Sequence, residues 1–130
     1  MGKISVSEQE IRSMEDYLKG YAFHQKMLGA EKYEQQFFYE REEKSQKKQL
    51  GEIPLAQIKM FEVRHFIMGL ANGDEKLLLY YHYVKGDSIE RCSELLGIGR
   101  STAFRMKKRA LALAALHKKS EETIDGVINL

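Results

Sequence analysis

The stretch SELLGIGRSTAFRMKKRALALAA, residues Ser93–Ala115, changes character twice along its length. It starts as a short amphipathic segment, reaches Gly97, and then places five basic residues among ten positions. These residues are Arg100, Arg105, Lys107, Lys108 and Arg109. The residues that follow are almost purely apolar. The glycine therefore separates two candidate helices, of which the second is basic at its start and apolar at its end.

The residues around Gly97 fit a helix-turn-helix. This motif needs a small residue where its helices cross, a residue that tolerates a left-handed turn, and apolar residues that seat the second helix. Counting from Ile89, the fifth position is Ser93, and the ninth is Gly97, which adopts positive φ without steric cost. The apolar positions are Leu96, Ile98, Ala103 and Met106. A helical hairpin of another kind would match some of these positions.

On a wheel of about 100° per residue, the second helix divides into an apolar and a basic face. Residues expected to face the core are Ala103, Met106, Ala110 and Leu113. The opposite side holds Ser101, Phe104, Arg105 and Lys108, with Lys107 and Arg109 flanking them. The basic face lies near the helix N-terminus, where a helix-turn-helix reads base edges in the major groove.

The side chains of this face suit different contacts with duplex DNA. Arg100 and Arg105 fit bidentate pairing with guanine, at about 1–3 kcal/mol of discrimination each, and Ser101 fits a base or a phosphate. Phe104 fits contact either with a thymine methyl group or with another protein. Phosphate contacts, which set position without reading sequence, are expected from Lys107, Lys108, Arg109, Ser88 and Arg91.

A solvated basic face that complements the helix dipole is the alternative interpretation. Lysines near a helix C-terminus favour it, whereas arginines beside the positive N-terminal end are locally unfavourable. A bound anion would remove that conflict, so we favour DNA.

The composition of the whole chain limits which partners and which kinds of site are expected. The chain has 130 residues, 43% hydrophobic and 31% charged, with a net charge of +2 that by itself does not indicate nucleic acid. Residues 100–119, however, hold seven Lys or Arg and no acidic residue. Cys92 is the single cysteine, and the four histidines are scattered. We therefore expect no disulfide, metal, cofactor or catalytic residue, and a cytoplasmic protein without a membrane segment.

Helical spacing accounts for nearly the whole chain, so the predicted class is all-α. Ser7 and Glu10 form a capping box for the first helix, and Gly29 ends or interrupts it before a second helix from about residue 31 into the forties. The polar segment 40–49 predicts a solvated helix end or a linker, and it is a candidate domain boundary. Further helices are expected over 54–68, 75–85 capped by Asp74, 89–96 capped by Ser88, and about 100–119.

We therefore divide the chain into an N-terminal helical region 1–50, a helix-turn-helix domain 51–119 with a long C-terminal recognition helix, and an acidic tail 120–130. The apolar residues 111–116 require a cover, because an exposed helix would not be apolar around most of its circumference. Either the N-terminal helices or a second copy of the chain, as a homodimer, provides that cover.

Residues 72–115 carry a family resemblance. An apolar helix ends in YVKG, a serine-capped helix ends in LLGI, and a basic helix begins with RST and finishes in KKRAL. This order resembles the promoter-reading region 4 of sigma-70-type factors. The ending AFRMKKRALALAA is more similar to ArpU/RinA-type phage late-gene transcription regulators, which share that sigma-like domain. Serine at position 93 and glycine at position 99 depart from the alanine and the capping serine usual there.

The resemblance implies a phage- or prophage-encoded transcription regulator, not an enzyme, that activates late genes and binds double-stranded promoter DNA. It implies that the DNA-reading residues are Arg100, Ser101, Thr102, Phe104 and Arg105. Two alternatives stay open. One is a small terminase subunit, which packages phage DNA and oligomerises. The other is a sigma-like module that binds RNA polymerase or a sigma factor.

Two further features are expected to be structural. The rings of Tyr80 and Tyr83 are predicted to pack in the core, and Cys92 is predicted to be a small buried residue without a redox role.

Overall fold

A computed structural model describes residues 5–41 and 53–128 of the chain. Its elements are α1 (Glu8–Arg41), α2 (Leu55–Met68), α3 (Asp74–Leu79), a π-helical turn (Tyr80–Val84), α4 (Ile89–Leu96) and α5 (Arg100–Ile128). Within the described ranges the fold is all-helical, with no strand. This confirms the all-α class. Residues 42–49 of the predicted linker lie outside the described residues.

The first helix begins as the capping box predicts. The backbone N–H of Glu10 donates to Ser7 Oγ, and the backbone N–H of Ser7 donates to Glu10 Oε1, both at 3.1 Å. The predicted break at Gly29 is wrong, because α1 continues for 34 residues, about 51 Å. Glycine inside a helix costs about 1 kcal/mol relative to alanine, and the neighbouring Leu28, which packs against the core, offsets this cost.

The main core lies where α1, α2 and α5 meet. Side chains of α1 contribute Met14, Leu18 and Tyr21, those of α2 contribute Met60, Val63 and Ile67, and those of α5 contribute Ala110, Leu111, Ala114 and Ala115. The N-terminal helix thus packs on the apolar half of α5 within the same chain. The alanines allow close approach of the helices, because no long side chain separates their backbones.

The prediction that Leu113 faces the core is wrong. Its side chain is 48% exposed and lines a cavity of about 310 Å³ between α5 and the connection of α2 to α3, together with Leu70 and Leu79. The wheel fails here because α1 approaches α5 from the side of Leu111 and Ala114, which turns Leu113 away.

Two other boundaries differ from expectation. Gly73, rather than Asp74, occupies the N-cap of α3, and it makes no side-chain cap; Asp74 instead lies in the first turn, where its charge complements the helix dipole. In place of the single helix expected over 75–85, α3 ends at Leu79 and the π-helical turn follows it directly. In this turn the Lys85 N–H donates to the Tyr80 carbonyl at 3.1 Å.

The last helix is longer than the spacing predicts. It runs beyond residue 119 to Ile128, so the backbone of the predicted acidic tail is helical as far as the structure describes it. No helix in the described ranges combines the length and the apolar character that crossing a bilayer requires.

Candidate nucleic-acid interface

The connection between α4 and α5 is built by local hydrogen bonds. Ser88 caps α4, since its Oγ accepts from the Arg91 backbone N–H at 3.1 Å. Gly97 ends α4 with φ 66° and ψ 36°, the left-handed conformation expected from sequence. The Ile98 N–H donates to the Ser93 carbonyl at 3.0 Å, and the Gly97 N–H donates to the Glu94 carbonyl at 3.2 Å. This pair of bonds is a Schellman motif, which sets the direction in which the chain leaves α4.

A second, smaller core seats the start of α5 against α3 and α4. Its buried residues are Leu78, Ile89, Cys92, Ala103 and Met106, with Ile98 and Leu96 packed at the edge. Cys92 is fully buried, and burial raises the pKa of its thiol, which disfavours the reactive thiolate. The apolar positions predicted from the Gly97 pattern therefore lie together, and they orient the first turns of α5.

Ser93 occupies the close crossing that the pattern assigns to a small residue. Its side chain is buried, and its Oγ–H donates to the Glu90 carbonyl at 2.6 Å. Because the hydroxyl finds a partner inside its own helix, burial of this polar group carries little penalty.

The outward face of α5 is exposed as predicted, and it comprises Ser101, Thr102, Phe104, Arg105 and Lys108. Arg105 donates from Nη2 to Thr102 Oγ1 at 3.4 Å. The Arg100 guanidinium lies 5.8 Å from the centre of the Phe104 ring, which is itself 46% exposed. Phe104 therefore presents an aromatic surface at the beginning of α5 rather than filling a core.

Four of the five cations at residues 100–109 of α5 pair with carboxylates from other helices. Arg100 Nη2 lies 3.0 Å from Glu90 of α4, Lys107 Nζ lies 3.1 Å from Glu15 of α1, Lys108 Nζ lies 3.5 Å from Glu8 of α1, and Arg109 Nε lies 3.0 Å from Glu75 of α3. Within the described part of the chain, Arg105 alone of the five has no carboxylate partner. Carboxylates of α1, α3 and α4 thus lie beside the basic residues of α5.

Lys107 differs from the other cations because its pair is partly buried. The side chains of Lys107 and Glu15 are 27% and 25% exposed, and the Tyr83 hydroxyl donates to the same carboxylate at 2.5 Å. Burial acts to raise the pKa of the Glu15 carboxyl, but hydrogen bonds from Tyr83 and Lys107 outweigh burial and lower it. Burial, followed by the Glu15 carboxylate, raises the pKa of Tyr83 well above its usual range. Through the shared Glu15 carboxylate, Lys107 and Tyr83 therefore connect α5, α1 and the π-helical turn.

The two predicted phosphate-binding residues that precede the Gly97 turn also have partners within the protein. Ser88 Oγ serves as the cap of α4, and the Arg91 guanidinium lies 2.9 Å from Glu94 on the same helix. Both residues are exposed. They lie at the start of α4.

Sequence reasoning missed the acidic partners Glu8, Glu15, Glu75 and Glu90. The near balance of 21 basic and 19 acidic residues was the one available signal that carboxylates offset the basic run. It does not say which ones, because the pairs join residues from distant parts of the chain. Among the described residues, no three His, Cys, Asp or Glu side chains lie close enough together to hold a metal ion.

Comparison of the chain with known protein families, with curated proteins and with solved structures finds no match.

Proposed function

We propose that the protein is a DNA-binding transcription regulator, of the kind that a phage or prophage uses to activate late genes, and that it docks the start of α5 in the major groove of promoter DNA. The observation that carries this proposal is the arrangement of α5 after the Gly97 turn. Ala103 and Met106 are buried, whereas Ser101, Thr102 and Arg105 project from the first two turns.

This arrangement suits base reading for two reasons. A helix entering the major groove uses side chains of its N-terminal turns, and these must be free of the core. Arg105 is exposed and has no carboxylate partner in the described chain, so its guanidinium is available for a guanine edge. Sequence-independent contacts would come from Lys108, Arg109 and Arg91, each of which is more than half exposed although paired.

The test begins by sequencing the genomic fragments that the full chain retains, which yields a binding site. Binding is then measured for two variants. Arg105→Ala is expected to relax preference at one base position, at about 1–3 kcal/mol. Lys108→Ala is expected to weaken binding to all sequences and to lower the salt slope by about one. The same loss on every sequence in both variants would contradict the assignment of Arg105 to base reading.

A protein-binding module, such as one that engages RNA polymerase or a sigma factor, is the second candidate. It is favoured by an exposed stripe on α2, opposite the buried face, formed by Ile58, Phe61, His65 and Met68. These residues recur at spacings of three and four, and the rings of Phe61 and His65 stack with centroids 5.6 Å apart. Exposed apolar stripes of this kind are typical of protein contacts. Retention of polymerase by a chain that retains no DNA fragment would favour this candidate.

A further inference from the structure

We infer that Glu8, Glu75 and Glu90, which we call the masking carboxylates, act as internal stand-ins for DNA phosphates and limit the affinity of α5 for DNA. Each holds one cation of α5. A DNA phosphate, or for Arg100 a guanine edge, must replace the carboxylate before that cation can contact DNA. This inference rests on the proposed function and adds to it a restraint on the same surface.

The three masking carboxylates come from three different helices and pair with cations that are spread around the exposed side of α5. Glu8 pairs with Lys108, Glu75 with Arg109, and Glu90 with Arg100, at 3.5, 3.0 and 3.0 Å. Five cations within ten residues repel one another, so carboxylates brought alongside relieve that repulsion. The same carboxylates neutralise the field that would attract a polyanion.

The exposure of these pairs makes them exchangeable. The cations of the three pairs are 59–70% exposed, and the carboxylates of Glu8, Glu90 and Glu75 are 70%, 48% and 30% exposed. The pair of Glu75 with Arg109 is therefore the least exchangeable of the three. Pairs in such surroundings are weak, because water and salt screen them. A DNA phosphate can therefore displace the carboxylate without any change in the fold. The pair of Lys107 with Glu15 is different, since it is only about one quarter exposed and includes Tyr83, so we expect it to stay closed.

The test compares three variants of the full chain, Glu8→Gln, Glu75→Gln and Glu90→Gln, with the wild type. Binding to a labelled random-sequence DNA duplex is measured over about 50 to 200 mM salt. Each variant is expected to bind about two- to five-fold more tightly at low salt, and the salt slope is expected to steepen by up to about 0.9 for each released cation. Glu34→Gln is the matched control, because it makes the same charge change at an exposed position elsewhere on α1.

A second readout does not depend on DNA. Acetylation of Lys108 by an amine reagent, followed by mass spectrometry, is expected to rise in Glu8→Gln, since the lysine loses its partner. Lys59, which pairs with Glu62 on α2 at 3.6 Å, is the internal control and is expected to react equally in both proteins.

The outcomes separate the inference from the proposed function. If the wild type binds the duplex and the three variants bind it no better than Glu34→Gln, the inference is wrong and the proposed function stands, whatever the labelling shows. If no protein binds the duplex, the proposed function fails. In that case increased labelling of Lys108, with tighter retention of Glu8→Gln on heparin, supports masking toward polyanions in general, and unchanged labelling and retention overturn it.

Discussion

The polar junction of Tyr83, Glu15 and Lys107 offers a sharp test of how α1 is fastened to the rest of the molecule. Tyr83→Phe keeps the ring, which is 6% exposed, and removes only the hydroxyl that donates to Glu15 at 2.5 Å. Hydrogen bonds to charged groups contribute about 1.5–3 kcal/mol net. Because Glu15 is one quarter exposed and keeps Lys107 as a partner, we expect the lower end, about 1.5 kcal/mol.

Urea unfolding followed by circular dichroism measures this difference. With a slope of about 1–3 kcal/mol per molar urea, a loss of about 1.5 kcal/mol lowers the midpoint by about 0.5–1.5 M. Tyr81→Phe is the control, because Tyr81 is partly buried and its hydroxyl makes no hydrogen bond within the described chain. That variant is expected to leave the midpoint nearly unchanged.

The effect of Tyr83→Phe should also depend on pH. The pKa of Glu15 is lowered in the folded state, so its contribution to stability is present above the unfolded pKa of about 4.3 and is lost as the pH falls through the folded pKa. The difference between wild type and variant is therefore expected to be largest at neutral pH and to shrink in acid. Equal midpoints at neutral pH, or a difference that stays constant into acid, would refute the reasoning.

Two further predictions concern the turn and the core. Gly97→Ala is expected to lower the free energy of unfolding by about 1–2 kcal/mol. A Cβ is strained at φ 66°, even though no atom beyond the two neighbouring residues of the chain would lie within 4 Å of it. Gly99→Ser, at the N-cap of α5, should instead stabilise by a few tenths of a kcal/mol; an equal loss in both variants would argue against a backbone origin. Leu18→Ala, at a fully buried position where α1 meets α5, is expected to cost about 2.7–5.0 kcal/mol in thermal or chemical unfolding. Leu113→Ala, at a half-exposed position, should cost less than about 1 kcal/mol, and a comparable cost at the two sites would contradict the packing described for α5.

Features that depend on neighbours in sequence could be predicted. The capping box of Ser7 and Glu10 and the cap at Ser88 each involve residues three apart, and the left-handed turn at Gly97 uses bonds within six residues. Such features depend on local geometry, which residue types report directly.

Features in which tertiary packing outweighs local helix propensity could not be predicted from the sequence. Gly29 is an unfavourable residue inside a helix, yet α1 passes through it, because packing outweighs a local cost of about 1 kcal/mol. The π-helical turn at Tyr80–Val84 has no signal in apolar spacing. It coincides with the placement of Tyr83 in the core, where its hydroxyl reaches Glu15.

In the candidate site, too, local sequence determines some features and tertiary packing determines others. Periodicity alone determined that Arg105 and Lys108 project from one side of α5 while Ala103 and Met106 lie on the other, because a helix repeats every 3.6 residues wherever it occurs. Only the tertiary structure decided which cations meet carboxylates, since Glu8 reaches Lys108 through the packing of α1 on α5. A side chain's direction is a property of its own helix, whereas the charge that faces it depends on how distant helices are brought together.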